Sequence, residues 1–441
     1  MGESLLSVGL DVGTTSTQMI LSRLNIENKA GAFSVPEMEI SERDVVYKSE
    51  VHFTPLRGND LVDAEKLREI IASEYRKAGV ERENVDTGAI IITGETSRKE
   101  NAKAVLAQLS DFAGDFVVAT AGPDLESVLA SKGAGADKYS ESTGKTVLHM
   151  DIGGGTANLA LIKNGQIVKT GCLNVGGRLL KFDEIGVVTY VSPVLEGLCN
   201  VRVGDVITKQ KAEDVSQILV SALEMAGGKR EADELLEKLT TSGTQTMAER
   251  ADVISFSGGV ADCIMQDVPW MKYGDIGPVL GREIGKSLLC RGEYILGEET
   301  IRATVIGAGC HSAQISGSTV FDRNITFPLK NIPVVKYENF GGVYEDAVFL
   351  SVDGKDAADY SKVTALAEEI VQIIKDGPIY ICIEKDMAKA LGQAVAMRTN
   401  KDRPILCVDR IKMLPESYMD VGEPVGPALP VVIKTLVLRR N

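Results

Sequence analysis

Two short stretches share a pattern that could do chemistry. "GLDVGTTST" occupies residues 9–17 and "HMDIGGGTAN" residues 149–158. Each sets an aspartate at the end of an apolar run, then glycines and small residues, then a second apolar run. Asp11 and Asp151 stand 140 residues apart. A polyphosphate needs closely spaced backbone N–H donors, which only turns poor in side chains expose. Gly13 with Thr14 and Thr15, and Gly153, Gly154 and Gly155 with Thr156, would form two such turns, the threonine hydroxyls adding donors. An aspartate at each turn can hold Mg²⁺ through water, because that ion keeps several waters at phosphate sites. A third turn, "FSGGVAD" at 256–262, ends a strand at Gly258 and Gly259 and enters a helix. Its bare backbone would let an adenine ring and ribose lie close. One glycine hairpin alone is usually only a hairpin. Two in equivalent places, with a third in register, predict a site for ATP and Mg²⁺. The chain has no G-x-x-x-x-G-K-[ST] loop and no G-x-G-x-x-G after its first strand.

The elements that must position these turns read as a duplication. The first unit runs βββαβαβα: a glycine hairpin from residue 4, a strand at 43–53 after a polar loop at 24–42, then alternating helices and strands. Its first helix puts Leu67, Ile70, Ile71, Tyr75 and Ala78 on one stripe, stopped by Gly79. The second unit repeats that order from "KTVLHMDIGGG". It closes with "TIRATVIGAG" as a strand and "CHSAQIS" as a helix. Pro328 and Pro333 introduce a smaller α/β region whose strands either form their own sheet or extend another. The expected class is α/β, with domains at 1–140, 141–318 and 319–441.

Composition narrows the function. The net charge of −14 opposes a nucleic-acid surface and an anionic membrane surface. Seven cysteines form no CxxC pair, which predicts reduced, buried thiols rather than a disulfide framework or zinc site. No apolar run approaches the roughly 18 residues of a membrane span. The opening "MGESLLSVGLDVG" has no basic stretch before its apolar run, which predicts no secretory leader and a cytoplasmic location.

On these turns the chain resembles the actin-like ATPase superfamily, which includes actin, sugar kinases and seventy-kilodalton heat-shock chaperones. Five patterns carry the resemblance: the phosphate turns at Gly9–Thr15 and Asp151–Thr156, the adenosine turn at Ser257–Val260, and connecting helices at "GPDLESVLASKGAG" and "GAGCHSA". It implies the actin-like ATPase fold, with two facing domains around a nucleotide cleft. A finer resemblance covers essentially the whole chain. "TGETSRKENA", "MDIGGGTANLALIKNG", "GCLNVGGRLL" and the late "YMDVGEPV" and "LPVVIKTLVL" look like the ethanolamine ammonia-lyase reactivating factors. That family implies an ATP-dependent release factor whose partner is the lyase. It expels damaged cobalamin so that intact adenosylcobalamin can rebind, without using cobalamin as its own cofactor. It further implies association with a protein-shelled microcompartment, and leaves self-association open.

The resemblance also implies roles. Asp151 faces the γ-phosphate and attacking water, Asp11 shares the Mg²⁺, and Glu126 in the first connecting helix is a candidate second catalytic carboxylate, set against a solvated helix face. Asp124 would cap that helix. Glu95 follows the strand end at Thr93–Gly94 and is either functional or a cap. His149 reads as packed and hydrogen-bonded rather than as a base. Cys310 and His311, adjacent on a helix, diverge rather than pair. Arg178 reaches either phosphate or a surface ion pair. A sugar or polyol kinase is the chief alternative, but no aspartate general base for an acceptor hydroxyl stands out. A peptide-binding chaperone lacks its β-rich domain, and an iron–sulfur activator its paired cysteines. A filament former would be revealed by pelleting with ATP.

Overall fold

Apolar runs and glycine turns set two matching sheets. The computed structural model describes residues 3–13, 16–28, 38–57, 61–93, 117–120, 123–243, 251–311, 313–316, 320–340, 347–354, 359–411, 417–424 and 429–435. In the first sheet β1 (Glu3–Val12), β2 (Ser16–Asn28) and β3 (Met38–Lys48) are antiparallel neighbours. β4 (Thr87–Ile92) and β5 (Val117–Thr120) join in parallel, giving the order β3-β2-β1-β4-β5. Every residue of β4 is buried, as a central parallel strand covered on both faces requires. Before it, α1 (Ala64–Ala78) buries Leu67, Ile71 and Tyr75. Asp63 caps α1 by accepting from the Lys66 N–H, and Gly79 ends it in the left-handed region at φ 66°.

The second sheet repeats the plan. β6 (Val147–Ile152), β7 (Ala157–Lys163) and β8 (Gln166–Leu173) are antiparallel, with β9 (Thr240–Gly243) added outside β8. β10 (Val253–Ser257) and β11 (Glu293–Leu296) follow in parallel, giving β9-β8-β7-β6-β10-β11. Against one face pack α3 (Lys209–Ala226) and α4 (Gly277–Lys286), where Leu219, Leu223, Leu280 and Ile284 join the largest apolar cluster. α2 (Pro123–Gly133) precedes this sheet and α5 (Ala303–His311) follows it.

Three expectations change. "TIRATVIGAG" is not a strand: its residues from Ala303 form α5, and the strand of that place is β11. Its β-branched content favours a strand, but tertiary packing decides. α5 lies so close to α2 that a Cβ on Gly307 would overlap the Leu129 carbonyl, and one on Gly133 the Ala303 carbonyl. On its other side, a Cβ on Gly9 would sit 2.5 Å from the Val305 carbonyl oxygen. The expected helix "CHSAQIS" is therefore the end of α5 followed by β12 (Ala313–Ser316). The expected loop at 24–42 is shorter, because β2 and β3 pair as far as Asn28 and Met38. The predicted helix within 97–110 lies outside the described residues.

The C-terminal region has its own sheet. After β12 come β13 (Phe321–Arg323), β14 (Leu329–Lys336), β15 (Phe349–Val352), β16 (Ile379–Ile383), β17 (Ile405–Val408), β18 (Ser417–Val421) and β19 (Leu429–Thr435). Their order is β12-β19-β18-β14-β15-β16-β17-β13. α6 (Tyr360–Ile373) and α7 (Ala388–Ala396) cover it with Val363, Ile370, Leu391 and Val395. No strand of this region extends either of the first two sheets among the described residues.

Candidate functional site

The two aspartate turns are built alike. In the first, the Gly13 N–H donates to the Ser16 carbonyl at 2.9 Å; in the second, the Gly153 N–H donates to the Thr156 carbonyl at 2.9 Å. Strand pairing sets Gln18 opposite Asp11 and Asn158 opposite Asp151. Sequence reasoning passed over both amides, although each follows its aspartate by the same seven residues and interrupts an apolar strand. Both are buried, and Gln18 Oε1 and Asn158 Oδ1 have no hydrogen-bond partner among the described residues. A buried acceptor left bare is costly, so the pair points to a ligand that supplies donors or a cation.

Asp151 is buried, with Ser257 donating to Oδ1 and Thr304 to Oδ2, the latter at 3.3 Å. Asp11 is half-buried, and the Thr93 hydroxyl donates to its Oδ1 at 2.8 Å. Desolvation pushes the Asp11 carboxyl up to about 7 against the pull of Thr93, and the charge of Asp151 adds to the rise. Desolvation likewise pushes Asp151 up to about 6, opposed by Ser257 and Thr304. The segment leading into α5 touches both turns: the Ile301 carbonyl accepts from Gln18 Nε2 at 3.1 Å, and Thr304 reaches Asp151. Thr93 and Thr304 were likewise not singled out as site residues, since single hydroxyls carry no pattern in sequence.

The glycines sort by what surrounds them. A Cβ on Gly155 would meet nothing within 4 Å, and one on Gly153 only the Thr156 carbonyl oxygen at 3.7 Å. The protein's own packing does not demand glycine at either place, so the second turn leaves room for something else, whereas a Cβ on Gly13 in the first would lie 3.0 Å from the Ser16 carbonyl oxygen. Gly154 is different, lying 3.3 Å from Arg178 Cδ when given a Cβ. Gly258 has φ 87°, and its Cβ would overlap the Ile152 carbonyl, so the protein itself requires that glycine. A Cβ on Gly259 would meet only Ile301, at 3.8 Å. Thr14, Thr15 and Glu95 lie outside the described residues.

The remaining candidates fall elsewhere. Glu126 is half-buried in the first turn of α2, whose Asp124 accepts from Thr170 and whose Ser127 donates to the Gly171 carbonyl on β8. Asp124 is inside that helix, which begins at Pro123, and so is not its cap. Arg178 pairs with the buried Asp275 at 3.3 Å beside the second turn. His149 is buried, with serine hydroxyls at both ring nitrogens, and desolvation pushes it down to about 3. Cys310 is buried against the Ser22 hydroxyl, and burial raises its pKa. All seven cysteines are free.

These residues fit a magnesium–nucleotide: two carboxylates, two amide oxygens without a partner among the described residues, and open space beside Gly153, Gly155 and Gly259. The raised carboxyls give a test. A carboxyl with a raised folded-state pKa stabilises the ligand-free fold fully below its unfolded value. That contribution is lost as pH rises through about 6 for Asp151 and about 7 for Asp11. Asp11→Asn is therefore expected to raise the melting temperature of the ligand-free protein more at pH 8 than at pH 5, and to weaken its stabilisation by Mg²⁺ with ADP. An equal change at both pH values in a thermal scan would refute the assignment.

The sequence matches the family described as "Ethanolamine utilisation protein EutA" over residues 3–342 and 340–439. It is 34% identical over 468 aligned residues to the ethanolamine ammonia-lyase reactivase EutA of Escherichia coli strain K12, covering 98% of each chain. The protein of the same name from Salmonella typhimurium is also 34% identical, again over 98% of each chain. Among solved structures, the Aquifex aeolicus PPX-GPPA enzyme aligns with a TM-score of 0.44 at 12% identity, covering 69% of this chain and 99% of that one. No described helix is long and apolar enough to cross a membrane. Since the family match runs through both aspartate turns and the C-terminal sheet, the chain belongs to the EutA family of ethanolamine utilisation proteins.

Proposed function

We propose that this chain is an ATP-dependent reactivating factor for ethanolamine ammonia-lyase, which expels damaged cobalamin so that intact adenosylcobalamin can rebind. The observation that carries the ATP step is the pair of matching turns with their facing carboxylates and two bare amide oxygens. The partner follows from the reactivases to which the chain is similar along nearly its whole length.

The backbone N–H groups of Thr14 and Thr15 and of Gly154–Thr156 would cradle the phosphates, while the Gly13 and Gly153 N–H groups close the two turns. Gly259, with space beside it, would admit the adenosine. Asp11 and Asp151 would hold Mg²⁺ through water, and the ion would supply positive charge to the phosphate oxygens. Asp151, held at both oxygens by hydroxyls, would orient the attacking water. Glu126 is the candidate for a second carboxylate once the cleft closes. The units 1–140 and 141–318 would act as the two jaws, with 319–441 carried along. ATP and ADP states must then differ in affinity for the lyase, since a ligand shifts an equilibrium only by its differential affinity. Action in the cytoplasm, within or beside an ethanolamine-utilisation microcompartment, completes the reading.

The test uses lyase inactivated by cyanocobalamin. Activity should return only when this protein, ATP, Mg²⁺ and free adenosylcobalamin are all present, because a corrinoid held by many contacts leaves slowly unaided. Adenosylcobalamin alone should restore nothing. If no reactivation occurs and the same preparation phosphorylates a sugar or polyol, the kinase alternative replaces this reading.

A further inference from the structure

β6 and β10 lie side by side in parallel, with His149 level with Ser255 and Asp151 level with Ser257. Side chains two apart on a strand share a face. All four therefore stand on one face, while Leu148, Met150, Ile254 and Phe256 enter the apolar cluster on the other. His149, Ser255 and Ser257 have no exposed surface at all. His149 Nδ1 lies 3.0 Å from Ser255 Oγ and Nε2 lies 2.9 Å from Ser257 Oγ, and Ser257 donates to Asp151 Oδ1.

The directions of these bonds follow from one another. An ionised Asp151 only accepts, so the Ser257 proton points to it. The Ser257 oxygen must then accept from Nε2–H. A neutral imidazole has one donor and one acceptor, so Nδ1 is bare and accepts from the Ser255 hydroxyl. The ring has no exposed surface and a hydroxyl at each nitrogen, a setting that suits the neutral form. The file Ser255–His149–Ser257–Asp151 thus runs one way and ends on the carboxylate.

We propose that His149 is a positioning residue for ATP hydrolysis, acting through Ser257 to hold the Asp151 carboxylate in one orientation toward the cleft. The inference rests on the reading of Asp151 as the group that orients water. It adds a reason for a buried histidine in a strand that could hold leucine. Thr304 grips the other oxygen, so loss of the Ser257 bond leaves the carboxylate held at one point and free to turn.

The experiment compares Ser257→Ala, His149→Leu and His149→Gln in the full chain. The glutamine amide can still donate to Ser257. Ser257→Ala and His149→Leu should lower kcat for ATP about 10- to 100-fold, the scale of a misplaced catalytic group. The calorimetric Kd for ADP with Mg²⁺ should stay within about threefold, and His149→Gln should recover most of the rate. With three histidines in the chain, ¹⁵N-imidazole spectra can be assigned, and His149 should be the Nε2–H tautomer at pH 7. A kcat within about twofold of wild type in Ser257→Ala, equal losses in His149→Leu and His149→Gln, or an Nδ1–H tautomer would overturn the inference. If His149→Leu does not fold, Ser257→Ala carries the kinetic test, as it removes only a hydroxyl. Asp151→Asn runs alongside. Hydrolysis that survives there fails the cleft reading itself, whereas hydrolysis lost there but kept in Ser257→Ala fails the relay alone.

Discussion

Asp151→Asn is expected to reduce ATP hydrolysis by roughly 10²-fold or more, the usual scale for losing a positioned acid–base or orienting group, while the fold survives. The two consequences have separate causes. Asparagine keeps the size of the side chain and can still accept from Ser257, so packing and most hydrogen bonds persist. It also removes a carboxyl that burial makes reluctant to ionise, so the ligand-free melting temperature at pH 8 should hold or rise. Orienting water and binding Mg²⁺ both need the negative charge, and neither survives its loss. In the reactivation assay this variant should fail when present in catalytic amounts, yet still bind the lyase, since in the proposed function release depends on turnover. The measurements are steady-state phosphate release, a thermal scan and co-sedimentation with the lyase. Wild-type turnover in a folded Asp151→Asn protein would end the case for this cleft.

Gly307→Ala should have a large effect on stability. The new Cβ would overlap the Leu129 carbonyl and crowd the Leu129 Cα at 2.8 Å. All of these are backbone atoms, so no side chain can swing aside; the helices must separate. Overpacking commonly costs 1–3 kcal/mol, and a backbone clash belongs at or beyond that upper end, about 3 kcal/mol. The melting temperature should fall by at least about 6 °C, with poor soluble yield as the alternative outcome. Gly155→Ala is the counterpart. Its Cβ meets no protein atom within 4 Å, so the melting temperature should stay within about 2 °C while ATP affinity falls about tenfold or more. The two variants exchange their signatures only if the glycines were assigned the wrong way round.

Much of this could be read from residue types. Local rules located both aspartate turns, the stripe and stop of α1, and the three antiparallel strands that open each unit, because turn chemistry and hydrophobic period act over a few residues. The α5 segment could not be read that way. Its valine, isoleucine and threonine favour a strand, and only the neighbouring α2 backbone explains why Gly307 and Gly133 make it a helix. Gln18 and Asn158 were visible as letters but not as a pair, since their meaning comes from cross-strand register with the aspartates. Likewise His149 was legible as a packed residue, whereas its link to Asp151 needs a parallel neighbour more than 100 residues away. Gly258 shows the opposite case. Sequence suggested a ligand at that glycine, but the Ile152 carbonyl already requires it.

α5 begins at the cleft and ends at the third sheet. Thr304, in its first turn, holds Asp151, and β12 starts two residues after its last residue, His311. At 1.5 Å per residue the helix is a stiff rod of about 13 Å. It is held on both sides: Ala308 shares an apolar cluster with Leu129 of α2, and Val305 and Cys310 pack with Ile20 of β2. The rod therefore joins Thr304, which holds Asp151, to the edge strand of the third sheet. On the proposed function, a nucleotide-dependent shift of Thr304 would be felt at Ala313, where β12 pairs with β19. A surface that must tell a partner whether ATP has been spent is best placed at that far end.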